Sequence, residues 1–381
     1  MSSIDTKLRL AGTHRLKRPD ATWSTISAYF DQVGITRVAD VTHLDCIGVP
    51  VCMAIRPDSE TLAVSQGKGA TLELAKISAA MESIELWHAE RPRPAPFTAP
   101  VETLELPYRI TDLPLRPDAR IGRTGAPLNW VTGLGIVNGK QIPVPLDMVG
   151  LSLSSGHDWK PAAFMQSSNG LASGNTVAEA ALHGLYELIE RHTTSSLRDG
   201  SLDNRRTIRP ESVPAGHCRE LLAALSAADV RTELSAVPNE FGVPCHVCFI
   251  WSPEYPVVCA GAGCHSDPLV SLSRAVTEAV QTRLTGIAGT RDDIPSSNDA
   301  LQVGVASPTF DAGDLDWDEC LDALSFDHAR IGEELLAVAD QVAEVNGFEP
   351  IVVDLSSTTD FAVVRVVCPG LLYTNRHHLP R

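Results

Sequence analysis

The chain has 381 residues, 44% of them hydrophobic and 20% charged, which suits a globular protein with a sizeable core rather than a disordered one. Lysine and arginine number 31 against 47 aspartates and glutamates, a formal net charge of −16. That balance excludes non-specific binding to nucleic acid or to an anionic membrane, both of which need a basic surface.

Residues 1–20 hold several charges and no long apolar run, so no signal peptide or membrane anchor is read there. No segment reaches the ~18 apolar residues of a membrane span, and a cytoplasmic location is the default expectation. TWSTISAYFDQVGI (22–35) has helical spacing, followed by short strands around TRVADVTH and VPVCMAIRP. Residues 92–130 are rich in proline and are predicted to run as extended loops. WVTGLGIV and QIPVPLDMV read as strands, ESVPAGHCRELLAALSAA (211–228) as an amphipathic helix, and VPCHVCFIW and VVCAGAGC as strands. IGEELLAVADQVAEVNG (331–347) is a helix ended by Asn-Gly, with strands PIVVDL and FAVVRVVCPG after it. Strands and helices mix throughout, so the fold class is α/β in the broad sense.

Nine cysteines are scattered along the chain. Cys245, Cys248, Cys259 and Cys264 contain a Cys-x-x-Cys that could open a zinc site. A strand over VPCHVCFIW puts Cys245 and Cys248 on opposite faces, however, so reduced thiols are expected and zinc is not.

The helix TVAEAALHGLYELIER (176–191) gathers its polar residues, Thr176, Glu179, His183, Glu187 and Glu190, into one row and is apolar nearly everywhere else. This reverses the usual proportions of a surface helix. The same pattern recurs. TLELAKISAAMESIE (71–85) superposes on it after a shift of 105 positions, and DPLVSLSRAVTEAVQ (267–281) fits the first with a shift of 196. The three helices end in Glu82-x-x-Glu85, Glu187-x-x-Glu190 and Glu278-x-x-Gln281, and residues three apart share a helix face. Each follows a glycine-bearing stretch, SQGKGAT, SNGLASGNT and GAGCHSD, read as loops whose glycines allow close approach to a ligand. Walker A and GxGxxG patterns are both missing.

Glutamates on apolar helices need neutralising. One such pair would usually mark a solvated face, but three in register point to metal. Carboxylate oxygens suit Mg²⁺, which takes one or two of them per ion and completes its shell with water and substrate phosphate. Lys68, Arg191, Arg274, Arg283 and Arg291 lie nearby in sequence and could offset phosphate charge. His183, on the polar row, is a candidate general base.

SNGLASGNTVAEAALHGLYELIERH resembles the central signature of the YcaO-domain family, and further matches run from GITRVADVTHLDCIGVPV through GKGATLELAKISAAMESIE and GAGCHSDPLVSLSRAVTEAVQTRLTGIAGTRDD to VVRVVCPG. The resemblance implies an N-terminal extension over 1–29 and a YcaO domain over 30–381: mixed sheets with packed helices, and an ATP site peculiar to the family. It implies that Glu82, Glu85, Glu187 and Glu190 hold Mg²⁺. Lys68, Ser78, Asn175, Glu179, Arg191, Gln281 and Arg283 then contact ATP or shape its site, Lys68 in a glycine-lysine-glycine stretch common to the family. It further implies ATP-dependent activation of a backbone amide in a precursor peptide, followed by nucleophilic attack to give an azoline or amidine. The alternatives are thioamide formation with a sulfide donor and a separate partner protein, and a non-catalytic peptide-binding scaffold. A homodimer is also implied. Two departures stand out: Leu86 replaces an arginine common after the first glutamate pair, and the ending GLLYTNRHHLPR lacks the proline-rich tail of many azoline-forming relatives. Together with the absence of an added leader-capturing domain, these place the expectation in the stand-alone branch, bottromycin-like or TfuA-associated.

Overall fold

The computed structural model of the protein describes residues 5–92, 96–116, 119, 127–151, 163–196, 205–291, 308–321 and 326–372. A hairpin of β1 (Leu8–Leu10) and β2 (Thr13–Arg15) leads into α1 (Pro19–Ser27) and the single turn α2 (Phe30–Val33). The helix expected over 22–35 is therefore split in two. It starts early at Pro19, whose missing N–H costs nothing at a first helical position, and Gly34 at φ 79° closes the second piece.

Three β–α units follow. β3 (Arg37–Asp40), β4 (Val51–Ile55) and β5 (Val64–Lys68) form an antiparallel sheet in that order, and β5 feeds α3 (Leu72–Glu90). β6 (Phe97–Ala99), β7 (Leu128–Gly135), β8 (Gln141–Pro145) and β9 (Leu171–Gly174) lead to α4 (Val177–Ser196). β10 (Arg206–Ile208), α5 (His217–Ala227), β11 (Arg231–Ala236), β12 (Cys245–Ser252) and β13 (Tyr255–Cys264) lead to α6 (Pro268–Ala288). Then α7 (Ile331–Asn346) precedes β14 (Ile351–Asp354) and β15 (Ala362–Val367). These last strands complete the second sheet, ordered β6-β7-β14-β15-β9 with β8 beside β7, while the third runs β10-β11-β12-β13. The helix expected from 211 starts only at His217, after Gly216 at φ 129°, and α7 ends at Gly347 as its Asn-Gly ending predicts.

In each sheet the strand that feeds a repeated helix (β5, β9 or β13) lies at an edge. α3 packs on β5 and also meets β9; α4 packs on β9 and meets β13; α6 packs on β13 and meets β5. The three sheet edges and their helices thus close a ring with approximate threefold character.

The sequence repeat is matched atom for atom in places. Thr71 and Asp267 accept backbone N–H bonds as helix N-caps, and Thr176 Oγ1 accepts the amide of Glu179; the three positions are equivalent under the two shifts. A Cβ on Gly67 would lie 1.9 Å from the Ala79 nitrogen and 2.4 Å from the Ala75 oxygen. On Gly263 it would lie 2.9 Å from the Ala275 nitrogen and 2.2 Å from the Ser271 oxygen, the equivalent atoms. The glycine-bearing stretches are therefore corrected from ligand-facing loops to strands. Their glycines let each helix fold back against its own strand.

The cysteines fall as strand alternation requires. Cys248 and Cys259 pack with α5 and α6, whereas Cys245 and Cys264 pack with α4 and α7. All nine are free thiols. Among the described residues no helix is long and apolar enough to cross a membrane. Most of the GLLYTNRHHLPR ending lies outside the described residues.

Candidate functional site

Each repeated helix turns one row toward the ring centre, partly open except at the buried Glu190: Ser78, Glu82 and Glu85 on α3; His183, Glu187 and Glu190 on α4; Arg274, Glu278 and Gln281 on α6. The spacing of four then three keeps each row on a single face, and the flanking residues are buried core. Ser78, His183 and Arg274 are equivalent positions, as are Glu82, Glu187 and Glu278. A residue at or next to the end of each preceding strand reaches the helix of a neighbouring unit. Ser173 on β9 donates Oγ to Glu85 Oε1 at 2.5 Å, and Lys68 on β5 pairs with Glu278. Cys264 on β13 lies close enough to Glu190 to feel its charge. Lys68, Ser173 and Cys264 are themselves equivalent under the repeat, so the rows are stitched together in the sense of the ring.

The carboxylates crowd one another. Burial raises Glu82 to about 7, against help from Arg291, the Gln66 amide and Lys68, and Glu187 raises it further. Burial likewise lifts Glu85 to about 8, with Glu82 and Glu187 adding to the shift and the Ser173 hydroxyl opposing it. Glu187 is raised by burial despite Arg191 and an amide bond from Gly170 at 3.0 Å. Glu190 rises to about 7 through burial, and the Glu278 charge pushes the same way while Arg191 resists. Glu278 is the exception: burial acts upward, but Lys68 and Arg191 outweigh it and hold the carboxyl below its usual range. Farther along α3, Glu90 shows what a satisfied buried glutamate looks like. Burial is opposed by Arg56 at 2.7 Å and by Thr61 and Ser59, and the group sits at about 2. Glu278, bonded by Lys68, is held in a similar way, whereas Glu82, Glu85, Glu187 and Glu190 stay raised, and a bound cation would favour their charged form.

Five cations ring the carboxylates. Arg191 approaches Glu187 at 3.8 Å and Glu190 at 3.9 Å, neither a close hydrogen bond. Burial opposes its charge, but Glu190, Glu278 and Glu187 keep it protonated. Arg274 places Nη1 3.1 Å from His183 Nδ1 and Nη2 3.4 Å from Nε2. Burial, Arg274, Arg15 and Lys68 hold His183 well below its ordinary range, so the imidazole is neutral near pH 7 and a weak acceptor of a proton. Arg291 reaches Glu82 electrostatically.

Arg283 departs from its expected place. Its Nε and Nη2 grip Asp45 at 2.7 and 3.1 Å, Nη1 donates to Ser252 at 2.9 Å, and it is almost fully buried. Its charge partners include none of the site glutamates. The reason is Asp45, a carboxylate from the segment between β3 and β4 that spends the guanidinium on bracing that segment against α6.

Asn175 and Glu179 form a second polar group at the start of α4. Asn175 Nδ2 donates to Glu179 at 3.0 Å, Thr22 donates to Asn175 Oδ1 at 3.0 Å, and the Leu16 amide donates to Glu179 Oε2 at 2.9 Å. Thr22 and Leu16 belong to the stretch read as an N-terminal extension, which is thus built into the wall of the site. Ser78 and Gln281 stand half-buried on their rows, and Leu86 points into the core. Sequence reading missed Ser173, Arg15 and Asp45. Carrying the repeat one strand residue earlier, from Lys68 to Ser173, would have found the first.

The chemistry of this donor set fits Mg²⁺ bound with a phosphate. Among the described residues no three His, Cys, Asp or Glu side chains are gathered as a ready metal cage. Magnesium does not need one, since water and phosphate oxygens fill most of its shell.

The sequence pattern of the YcaO family, described as a YcaO cyclodehydratase that binds ATP and Mg²⁺, matches residues 66–372. An uncharacterized protein of Mycobacterium tuberculosis is 34% identical over 387 residues, covering 96% of this chain and 84% of its own. An uncharacterized protein in the tfuA 3′ region of Rhizobium leguminosarum bv. trifolii is 38% identical over 293 residues, 73% of this chain and 69% of its own. Among solved structures, a heterocyclase in complex with substrate and cofactor superposes with a TM-score of 0.76 at 19% identity over 97% of this chain. This chain spans about half, 55%, of that heterocyclase. YcaO from Methanopyrus kandleri, bound with AMPPCP and Mg²⁺, superposes with a TM-score of 0.72 at 22% identity, covering 99% of this chain and all of the other.

Proposed function

The chain belongs to the YcaO family, a family of ATP- and Mg²⁺-dependent enzymes, and from that premise we propose that it activates a backbone amide of a ribosomally made precursor peptide for cyclodehydration. The observation that carries the reading is the convergence of the Glu82–Glu85 and Glu187–Glu190 pairs, with Glu278, on one crevice where burial raises four of the five and a neighbouring glutamate adds to the rise in Glu82, Glu85 and Glu190. Glu82, Glu85, Glu187 and Glu190 would hold Mg²⁺.

An amide oxygen is a poor leaving group, and bound Mg²⁺–ATP supplies the phosphoryl group that turns it into phosphate. The residues of this chain then act by position and charge. Lys68 keeps Glu278 ionised and oriented. Arg191 and Arg274 add positive charge beside the carboxylates. Asn175 and Glu179, fixed by Thr22 and the Leu16 amide, form the neighbouring wall. His183, the candidate general base, is neutral but a weak one, because burial and the neighbouring cations oppose its protonation. Attack by a side-chain Cys, Ser or Thr gives an azoline, and attack by an amine gives an amidine.

One observation favours a second product. A relative is encoded beside tfuA, and partner-assisted members of the stand-alone branch would use sulfide as the nucleophile to leave a thioamide. Mass spectrometry of the peptide encoded nearest this chain, incubated with ATP, Mg²⁺ and the purified protein, separates the cases. Loss of one water supports the azoline or amidine reading, and exchange of oxygen for sulfur with sulfide and a partner present supports the thioamide. A peptide that merely keeps a phosphoryl group would sink both.

A further inference from the structure

The proposed chemistry leaves two buried thiols beside the site unused, and backbone pairing sets them face to face. Cys245 on β12 and Cys264 on β13 are direct partners in the antiparallel ladder. The His265 amide donates to the Pro244 carbonyl at 3.1 Å, so that pair is the hydrogen-bonded one. Its neighbour, Cys245 with Cys264, is then a non-hydrogen-bonded pair, in which Cα atoms stand about 4.5 Å apart and side chains come closest. Both side chains enter the same core cluster, both are 2% exposed or less, and the two thiols lie within hydrogen-bonding reach of each other. A disulfide needs Cα atoms about 4.4–6.8 Å apart. The ladder supplies that geometry, at the short end of the range where the bond is easily reduced again. The other two cysteines of these strands make the contrast. Cys248 faces Gly261 and Cys259 faces Ile250, a diagonal relation about 7–8 Å across, too far to bridge without backbone movement.

The pair also borders the metal row. Cys264 lies against two residues one turn apart on α4: it feels the charge of Glu190, and Tyr186 feels its own. Arg191 in turn feels Cys245. Position 264 is the repeat equivalent of Lys68 and Ser173, which hold Glu278 and Glu85. Drawing the two sulfurs from thiol contact to a covalent bond of about 2.05 Å shifts whatever packs on them. Mg²⁺ demands near-ideal octahedral geometry, so a displaced Glu190 holds it less well. Burial keeps the Cys264 thiol well above its ordinary range, with Cys245 adding to the shift, so the thiol stays protonated and closure is slow.

We propose that Cys245 and Cys264 are a redox-active dithiol in the wall of the carboxylate crevice, and that a peroxide closes them into a disulfide which weakens Mg²⁺–nucleotide binding. One sulfur attacks a peroxide oxygen, giving a sulfenic acid and water. The second thiol displaces the sulfenic oxygen as another water, so two thiols and one H₂O₂ become one disulfide and two waters. A dithiol reductant restores the pair. The binding half of the proposal rests on the Mg²⁺–nucleotide reading above, and the disulfide does not.

The full reduced chain, treated with hydrogen peroxide, alkylated while unfolded, digested and mapped by mass spectrometry, tests it. The expected product is a pair of peptides cross-linked through Cys245 and Cys264 and separated by dithiothreitol. Calorimetry should show Mg²⁺–AMPPCP bound about tenfold or more weakly by the oxidised protein, as when an outer partner of a metal ligand is lost, with recovery on reduction. C245A, which cannot close the bond, should keep its affinity after peroxide. Full alkylation of both residues in the peroxide-treated parent would overturn the dithiol. Oxidised protein that binds as tightly as reduced, or an equal loss in C245A, would overturn its link to the site. Reduced protein that binds no Mg²⁺–AMPPCP would sink the nucleotide reading instead, and the peptide map would still decide the dithiol.

Discussion

Lys68, the last residue of β5, bonds Glu278 on α6, joining the first and third repeat units across the site. Both side chains are mostly buried, at 17% and 27% exposure. Glu278 also stands next to Glu190, so removing the lysine leaves two like charges in a half-buried crevice. K68M should therefore lower the unfolding temperature at pH 8, and E278Q in the same chain should restore most of the loss. A double-mutant cycle should give a coupling of about 1 kcal/mol or more, and a value below roughly 0.3 kcal/mol would mean that the contact carries nothing.

The raised carboxyls make stability depend on pH in a defined direction. Glu82 and Glu190 at about 7 and Glu85 at about 8 lie above their ordinary 4.5. Between those limits the folded protein binds more protons than the unfolded chain. Their contribution is thus fully present below pH 4.5 and is lost as pH rises through 7 to 8. Without metal, the melting temperature should fall as the pH is raised from about 6 to about 8.5, once ordinary groups are matched by an E82Q/E85Q control. Mg²⁺ with AMPPCP should flatten the fall and release protons, visible as a buffer-dependent binding heat. A metal-free profile rising over that range in the unaltered protein but not in the control would reverse the assignment.

Glu187 should trade stability for binding. It is partly open at 20% and adds its charge to both Glu82 and Glu85. E187Q relieves that repulsion, so at pH 8 the metal-free protein should melt no lower than the parent. Its Mg²⁺-dependent nucleotide affinity should fall by about tenfold or more, and E187K should abolish it, since one of few metal ligands is gone. Unaltered affinity in E187K would remove the metal assignment.

Gly67 tests the repeat as architecture. A methyl group there has no room between β5 and the backbone of α3. G67A and its equivalent G263A should each cost about 3 kcal/mol, whereas G139A, which meets nothing within 4 Å but has φ 68°, should cost only about 1 kcal/mol of backbone strain. Equal, small shifts in the melting temperature for all three would mean that the close approach is not real.

How far the site could be read in the sequence follows from the range of each interaction. The rows on α3, α4 and α6 are legible because helical periodicity and a threefold repeat are local patterns, and Glu82, Glu187 and Glu278 fall in register from the sequence alone. The caps at Thr71 and Asp267 were not read as caps, although both fall in register at the start of their helices. The role of the glycines was not legible: SQGKG and GAGC look like ligand loops until the helix that returns over them is placed. Arg15 and Asp45 were hidden because their partners, Glu179 and Arg283, lie 164 and 238 positions away. No periodicity spans such a gap.

Arg283 is where likeness and geometry part, and the difference can be measured. Its guanidinium and Asp45 are both nearly sealed, at 2% and 4% exposure. Removing one partner strands the other charge, so R283M or D45N should each destabilise the fold by about 3 kcal/mol. R283M/D45L, which removes both charges, should recover much of that. If bracing is the arginine's task, R283M that remains folded at low temperature should bind Mg²⁺–AMPPCP within about threefold of the parent, under 1 kcal/mol. A loss beyond about tenfold with an unchanged melting temperature would return Arg283 to the nucleotide site, and would require the Asp45 pair to open when the nucleotide arrives.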